Sequence, residues 1–321
     1  MEHRTDVSES TRRGDVAAVH SVDRVVVTVP NLEEARYFYA AFGLDVRMVG
    51  EHLDVYAFGG SHCWMSLYAF GQAKQLQYLR LGTFQPDLEP LRQRIEARGI
   101  GMAAHPLSDG EGLWLRTPDG TPIQLVVAAK VSPSAKSVSA PPPEAIPGRG
   151  AAPARSRVPP VRPRTLSHVL LFSADVPRMM AFAEDVLGLR LSDRSGDVIA
   201  FMHGPHGSDH HLIAFAKSNA AGLHHTSWDV GSFDDVGRGA EQMRTAGYGR
   251  GWGVGRHVLG SNYFFYVRDP WGSYAEYSFD IDFVPHDIAW PAADHPAEDS
   301  LYVWGPPPPE DFATNFEPAA L

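Results

Sequence analysis

Two stretches decide the fold of this chain: SVDRVVVTVPNLEEARYFYAAFGLDV at residues 21–46 and TLSHVLLFSADVPRMMAFAEDVLGLRL at residues 165–191. Each is an apolar run, then a turn with a helix-capping residue (Asn31, Asp175), then an amphipathic helix that ends at a glycine (Gly43, Gly188). The cap side chain accepts hydrogen bonds from the first free helix amides, and the glycine takes the left-handed turn that stops the helix. Short alternating strands follow in both. A further strand–helix unit comes next in each half, QLQYLRLGTFQPDLEPLRQRIEARG at 75–99 and LHHTSWDVGSFDDVGRGAEQMRTAG at 223–247. Both halves finish with a turn and a strand, RTPDGTPIQLVV at 116–127 and VRDPWGSYAEYSF at 267–279. The pattern predicts an α+β fold of four βαβββ modules paired into two half-barrel domains, since internal duplication is a fold-level signal.

Between the halves lies VSPSAKSVSAPPPEAIPGRGAAPARSRVPPVRPR, residues 131–164, with 9 of the chain's 26 prolines, 6 basic residues and 1 acidic residue. Such a stretch buries no core and reads as an extended, partly disordered linker. The expected organisation is a disordered N-terminus (1–18), an N-terminal domain without catalytic residues (19–130), the linker (131–164), a catalytic domain (165–288) and a Trp/Pro-rich tail (289–321). The 321 residues carry a formal charge of −10, which disfavours nucleic acid and anionic membranes as partners. No window approaches the roughly 20 apolar residues of a membrane span, and the polar N-terminus has no signal-peptide core. One cysteine among 15 histidines suits the cytoplasm and leaves only nitrogen and oxygen ligands for a transition metal.

The duplication supplies its own control. Aligning the halves on their turns sets His168 opposite Arg24, Glu276 opposite Gln124, and the His224–His225 pair opposite Gln75–Leu76. The C-terminal half thus has two imidazoles and a carboxylate where its copy has groups that make a poor metal site. Adjacent histidines on a strand point to opposite faces, so one of His224 and His225 is expected to ligate. Two histidines and one carboxylate on one face of a metal leave open positions, as in non-haem Fe(II) oxygenases. A lone strand histidine is ordinarily structural; shared placement on matching elements favours function here.

With LHHTSWDV at 223–230 and GRHVLGSNYFFYVRDPWGSYAEYS at 255–278, the chain resembles the vicinal oxygen chelate superfamily, and within it the two-domain type I extradiol ring-cleavage dioxygenases. The resemblance covers roughly residues 20–130 and 165–290. It implies that His225, the second histidine of the Leu-His-His run, binds the metal with His168 and Glu276. It also implies catalytic roles for His211, fourteen residues before His225, and for His257 and Tyr266, nineteen and ten before Glu276. His203, His206, His286 and His295 fall outside the pattern and are expected at the surface or on the pocket wall.

The implied reaction joins a catechol-type substrate and O₂ at Fe(II), with Mn(II) as an alternative metal, and opens the ring beside its hydroxyls. His257 and Tyr266 would orient the substrate oxygens, and His211 would carry protons. Trp252 and Val254 point to an apolar pocket wall, with Arg250 and Arg256 as candidates for meeting a carboxylate; the preferred substrate is a substituted or bicyclic aromatic diol. A homo-oligomer is expected from the family. Two rival readings remain: a glyoxalase- or thiol-transferase-type metalloenzyme of the same superfamily, and a metal-free small-molecule binder.

Overall fold

The computed structural model describes residues 11–142, 144 and 146–317. The first module consists of β1 (Val19–Val29), α1 (Leu32–Ala41), β2 (Asp45–Val49), β3 (His52–Tyr56) and β4 (Cys63–Ala69). The second has β5 (Gln75–Thr83), α2 (Gln85–Arg98), β6 (Leu113–Arg116) and β7 (Pro122–Val127); its strand after the helix is reduced to a bridge between Gly101 and Leu115. The second half begins with β8 (Thr165–Ser173), α3 (Val176–Phe182), β9 (Arg190–Ser195), β10 (Ile199–His203), the short β11 (Ser208–Asp209) and β12 (Ile213–Lys217). The fourth module is β13 (Gly222–Asp229), α4 (Phe233–Thr245), β14 (Gly251–His257), β15 (Tyr263–Arg268) and β16 (Tyr274–Phe279). The tail adds β17 (Phe283–Val284), β18 (Ala293–Asp294) and β19 (Tyr302–Trp304).

Each half is one curved sheet, ordered β2-β3-β4-β1-β5-β7-β6 in the first and β18-β9-β10-β12-β8-β13-β16-β15-β14-β19 in the second. The module-opening strands pair antiparallel at the centre, β1 with β5 and β8 with β13. That pairing makes two modules into one half-barrel, as the duplication predicts. The caps act as read: Asn31 accepts from the amides of Glu33 and Glu34, and Asp175 from that of Arg178. Gly43 and Gly188 have φ of 99° and 74°, and both also sit against other chain segments. A Cβ on Gly43 would lie 2.1 Å from the Val161 carbonyl oxygen, and one on Gly188 would lie 2.4 Å from that of Ala17.

One large apolar core runs through both halves, with smaller clusters around Trp252 and Trp114. Tyr277 of β16 stacks on Phe42 at 3.9 Å and donates its hydroxyl to the Phe42 carbonyl at 2.8 Å. The buried Lys74 pairs with Asp269 at 2.6 Å across the same junction. Of the N-terminal stretch expected to be disordered, residues 1–10 lie outside the described residues. Arg12 pairs with buried Asp87, and the Arg13 amide donates to His206 Nδ1 at 3.1 Å. Positions 143 and 145 of the proline-rich segment also lie outside the described residues. The ends of that segment are tethered: Ser132 donates to the His20 carbonyl, and Arg164 pairs with Asp229 at 2.7 Å. Residues 146–160 are exposed, with Arg155 paired to Glu241 at 2.6 Å and the Pro159 carbonyl accepting from Arg238. Among the described residues no helix is long and apolar enough to cross a membrane.

Limited trypsin digestion should therefore cut first at Arg149, Arg155 or Arg157 and leave two resistant fragments. Uncut chain under conditions that cleave other exposed arginines would show this segment to be docked.

Candidate metal centre

The second sheet brings three strands together in the order β8-β13-β16. Ser227 of β13 is in register with His168 on one side and with Glu276 on the other. His225 lies two residues before Ser227, on the same face of the sheet, because side chains alternate along a strand. His168, His225 and Glu276 therefore share one patch, although they come from positions 51–57 residues apart in the chain. Their donor atoms all lie within 4.8 Å of one another. The Nε2 atoms of the histidines are 3.3 Å apart, and Glu276 Oε2 is 3.3 Å from His168 and 3.5 Å from His225. All three side chains are buried.

Hydrogen bonds behind these groups determine what they offer. The Phe312 carbonyl lies 2.8 Å from His224 Nε2 and only accepts, so His224 Nε2 carries a proton. Burial pushes the His224 pKa down to about 4, so its Nδ1 is an acceptor, 2.6 Å from His225 Nδ1. His225 must donate from Nδ1 and keep its Nε2 lone pair free. Burial, and then the neighbouring His224, also hold His225 neutral, with its pKa well below the usual value. Ser167 donates to Asp209 Oδ2 at 2.7 Å and so presents a lone pair to His168 Nδ1 at 3.3 Å. Asn262 occupies Glu276 Oε1 at 3.2 Å, while Oε2 is buried with no hydrogen-bond partner.

Three lone pairs thus face one point, which is stable only with positive charge between them. Burial alone would push the Glu276 carboxyl up; the imidazoles around it, His168 and His257 first, outweigh this and hold it well below the usual carboxylate range. A divalent cation fits the same place, and the donor set of two imidazoles and one carboxylate suits Fe(II) or Mn(II).

The remaining candidates surround this point. Tyr266 of β15 is in register with Glu276, and its hydroxyl lies 3.0 Å from His257 Nε2. Burial, then the Glu276 charge, raise the Tyr266 pKa well above its usual value, so the phenol stays protonated. His257 closes β14, and its Nδ1 donates to the Leu301 carbonyl at 2.8 Å. His211 lies in the turn before β12 rather than on a strand, with its ring centroid 4.0 Å from that of His168. Burial, and then its imidazole neighbours led by His168, press its pKa well below the usual value. His168, His225, His211, His257 and Tyr266 line a cavity with about 550 Å³ of empty space, counting what opens to solvent, walled by Leu170, Ile199, Phe201, Trp252, Leu259 and, from the tail, Phe312.

Some expectations are corrected. By register, His168 matches Arg24 and Glu276 matches Gln124, but the His224–His225 pair falls opposite Gln77–Tyr78 rather than Gln75–Leu76. A bulge in β13 displaces His224, and a matching irregularity in β5 displaces Gln77. The same bulge overrides strand alternation, so both His224 and His225 line the cavity. His203 and His206 are buried rather than at the surface, bound to Ser192 and Asp87. Neither Arg250 nor Arg256 lines the cavity: Arg250 is 80% exposed, and Arg256 lies over the Tyr263 ring. The supporting roles of His210, His224, Asn262 and Phe312 are absent from the sequence reading. The two His-His pairs were the visible signal for the first two.

Residues 165–277 match the Glyoxalase/Bleomycin resistance protein/Dioxygenase superfamily, and the chain belongs to that family. It is 51% identical to Metapyrocatechase 2 of Cupriavidus necator, over 98% of this chain and 99% of that one. Among solved structures, the Mn(II)-bound glyoxalase from Novosphingobium aromaticivorans superposes with a TM-score of 0.70 at 27% identity, covering 90% of this chain and 91% of that one. The fold also matches homoprotocatechuate 2,3-dioxygenase from Brevibacterium fuscum, with a TM-score of 0.76 at 17% identity over 99% and 86% of the two chains.

Replacing His168, His225 or Glu276 with Ala should abolish stoichiometric metal in the purified protein. His224→Phe should keep the metal but bind it about 10–100-fold more weakly, the usual range when the group behind a ligand is lost. Competition with a chelator would measure this, and full iron in Glu276→Ala would exclude Glu276 as a ligand.

Proposed function

We propose that this chain is an extradiol ring-cleavage dioxygenase that opens a catechol-type aromatic beside its hydroxyls and incorporates both atoms of O₂. The observation that carries the reading is the convergence of three metal-seeking lone pairs with His211, His257 and Tyr266 in one apolar cavity. His168, His225 and Glu276 would hold Fe(II), with Mn(II) as the alternative. The bound metal would lower the pKa of the substrate hydroxyls and hold both reactants together.

The side chains around it have separable tasks. With its Nδ1 hydrogen committed to the Leu301 carbonyl, His257 turns Nε2 to the Tyr266 hydroxyl at 3.0 Å. Tyr266 donates beside it, so the pair orients one substrate oxygen. His211 approaches from another wall and handles protons. Because burial disfavours its charged form, it works as a neutral imidazole, accepting at one nitrogen and donating from the other.

Substrate choice follows from the walls. Among the described residues the cavity lining contains no arginine or lysine, so a carboxylated catechol would bury an unpaired negative charge at high cost. The fit is to an uncharged catechol, bare or with apolar ring substituents. The buried, reduced Cys63 suits a cytoplasmic enzyme.

Protein purified without oxygen should contain one divalent metal per chain and turn catechol or an alkylcatechol into a yellow ring-fission product with matching O₂ uptake. Carboxylated catechols should react poorly. A metal-loaded protein inert to every catechol but active on a thiol adduct would establish the glyoxalase reading, and a metal-free binder would establish the other. His211→Phe should keep its metal and bind catechol anaerobically, yet lose about 10²–10⁴-fold in turnover, the range for general acid–base help. Tyr266→Phe should lose less, because only one orienting hydrogen bond disappears. Wild-type turnover in His211→Phe would remove that residue from the mechanism.

A further inference from the structure

We propose that Glu317 is a positioning residue that latches a strap at the end of the chain, residues 311–317, across both domains and so seats the Phe312 ring as the wall that selects catechols by the size of their ring substituent. The inference rests on the dioxygenase reading above and adds to it the element that limits substrate size. Of residues 311–317 only Phe312 lines the cavity. Glu317 lies outside it, so its role must pass through the strap.

The strap is fixed along its whole length. At its start Asp311 pairs with Arg268 of β15, and the Phe312 carbonyl accepts from His224 Nε2 at 2.8 Å. Asn315 Nδ2 donates to the carbonyls of Ala220 and Ala221, at 3.1 and 3.0 Å. Asn315 Oδ1 accepts the Glu317 amide at 3.0 Å, a side-chain turn that fixes where Glu317 leaves the backbone. The Glu317 carboxyl group then spans two strands. Its Oε2 accepts the Leu76 amide of β5 at 2.9 Å, and its Oε1 accepts the Leu223 amide of β13 at 2.8 Å. Each is the second residue of the strand that opens the second module of its half, so one side chain ties the two domains at matching places.

The surface beneath is cut to receive the strap. A Cβ on Gly222 would lie 2.7 Å from Asn315 Oδ1, and one on Gly272 would lie 2.6 Å from the Phe316 ring. Between these fixed points Phe312 packs on Trp252, Tyr266 and Tyr274, with ring centroids 4.8, 5.1 and 5.1 Å away. Phe312 is only half-buried, at the edge of that aromatic cluster. A ring carried so near a chain end keeps its place only if the chain beyond it is tied down, because the backbone entropy of a loose end favours its release. Among the described residues Glu317 is the last tie.

Substrate size is where this is felt. Phe312 closes the cavity beside Tyr266, one of the side chains assigned to the substrate oxygens, and beside Trp252. With the ring seated, a small catechol is held between apolar walls. With the ring displaced, that catechol loses a wall, while a catechol bearing a second ring gains room. A change of a methylene or more in an apolar pocket shifts discrimination about tenfold or further.

The metal-loaded enzyme, Glu317→Gln, Phe312→Ala and the double variant, each assayed on catechol and on 3-phenylcatechol, test this. Gln has one accepting oxygen and satisfies only one of the two amides. We expect Glu317→Gln to keep stoichiometric metal and kcat on catechol within about twofold, while KM for catechol rises about tenfold. Its kcat/KM should shift toward 3-phenylcatechol. Phe312→Ala, which keeps the carbonyl that faces His224, should shift the same ratio further, and Glu317→Gln should add nothing to it, because two residues acting through one contact are not additive. Amide hydrogen exchange at residues 221–224 and 312–317 should speed up in Glu317→Gln, with or without turnover. If that variant does not fold, Asn315→Ala, which removes the neighbouring tie, carries the test. Unchanged KM and selectivity in Glu317→Gln would overturn the proposal, and so would full additivity with Phe312→Ala. A fall in kcat at unchanged KM would also overturn it, making Glu317 a structural prop. Should the wild-type enzyme turn over no catechol, the dioxygenase reading fails, and hydrogen exchange alone decides whether Glu317 latches the strap.

Discussion

Three buried donor atoms that face one another, two imidazole nitrogens and a carboxylate oxygen, are the constraint around which the second domain is organised. Such an arrangement is repulsive without a cation, and surrounding structure holds it open. Each ligand has its far side committed: His168 to Ser167, His225 to His224, Glu276 to Asn262. The sheet contributes the rest, because three neighbouring strands in fixed register cannot drift apart without losing their backbone hydrogen bonds.

The two His-His pairs have a common logic. In each, the second histidine lines the cavity and the first meets it through a contact between Nδ1 atoms, 3.0 Å for 210–211 and 2.6 Å for 224–225. The supports differ in what lies behind them. A backbone carbonyl behind His224 fixes one tautomer, which suits a permanent ligand. Behind His210 stands the Asp193 carboxylate, 2.8 Å from its Nε2. The tail contributes to both, through the Phe312 carbonyl and through Trp290, Ala293 and His295 around Asp193, so the last segment of the chain completes a site built mostly from strands.

The first domain shows what the scaffold does without that chemistry. At the matching positions stand Arg24, Tyr78 and Gln124, and Gln124 donates to Asp109 at 2.8 Å and to the Glu111 carbonyl at 3.0 Å. A guanidinium in place of the first imidazole excludes a metal cation by charge alone. This domain packs on the second through the Phe42–Tyr277 stack and the buried Lys74–Asp269 pair.

Much of this was legible in the sequence because it depends on local rules. Helix caps, terminating glycines and strand alternation each act over a few residues, so the modules and their duplication could be read directly. The pairing of His168 with Glu276 emerged by comparing the two halves. What lay beyond the sequence depends on register and burial. The bulge that turns His224 into the cavity is settled by how β13 pairs with β8, and no local pattern encodes it. The burial of His203 and His206, and the retreat of Arg250 and Arg256 from the pocket, depend on how the two halves and the tail close over one another. The sequence by itself determined which chemical groups were available and on which elements; only the tertiary structure decided which nitrogen of each histidine faces the cavity, because a tautomer is set by the partner on the other side of the ring.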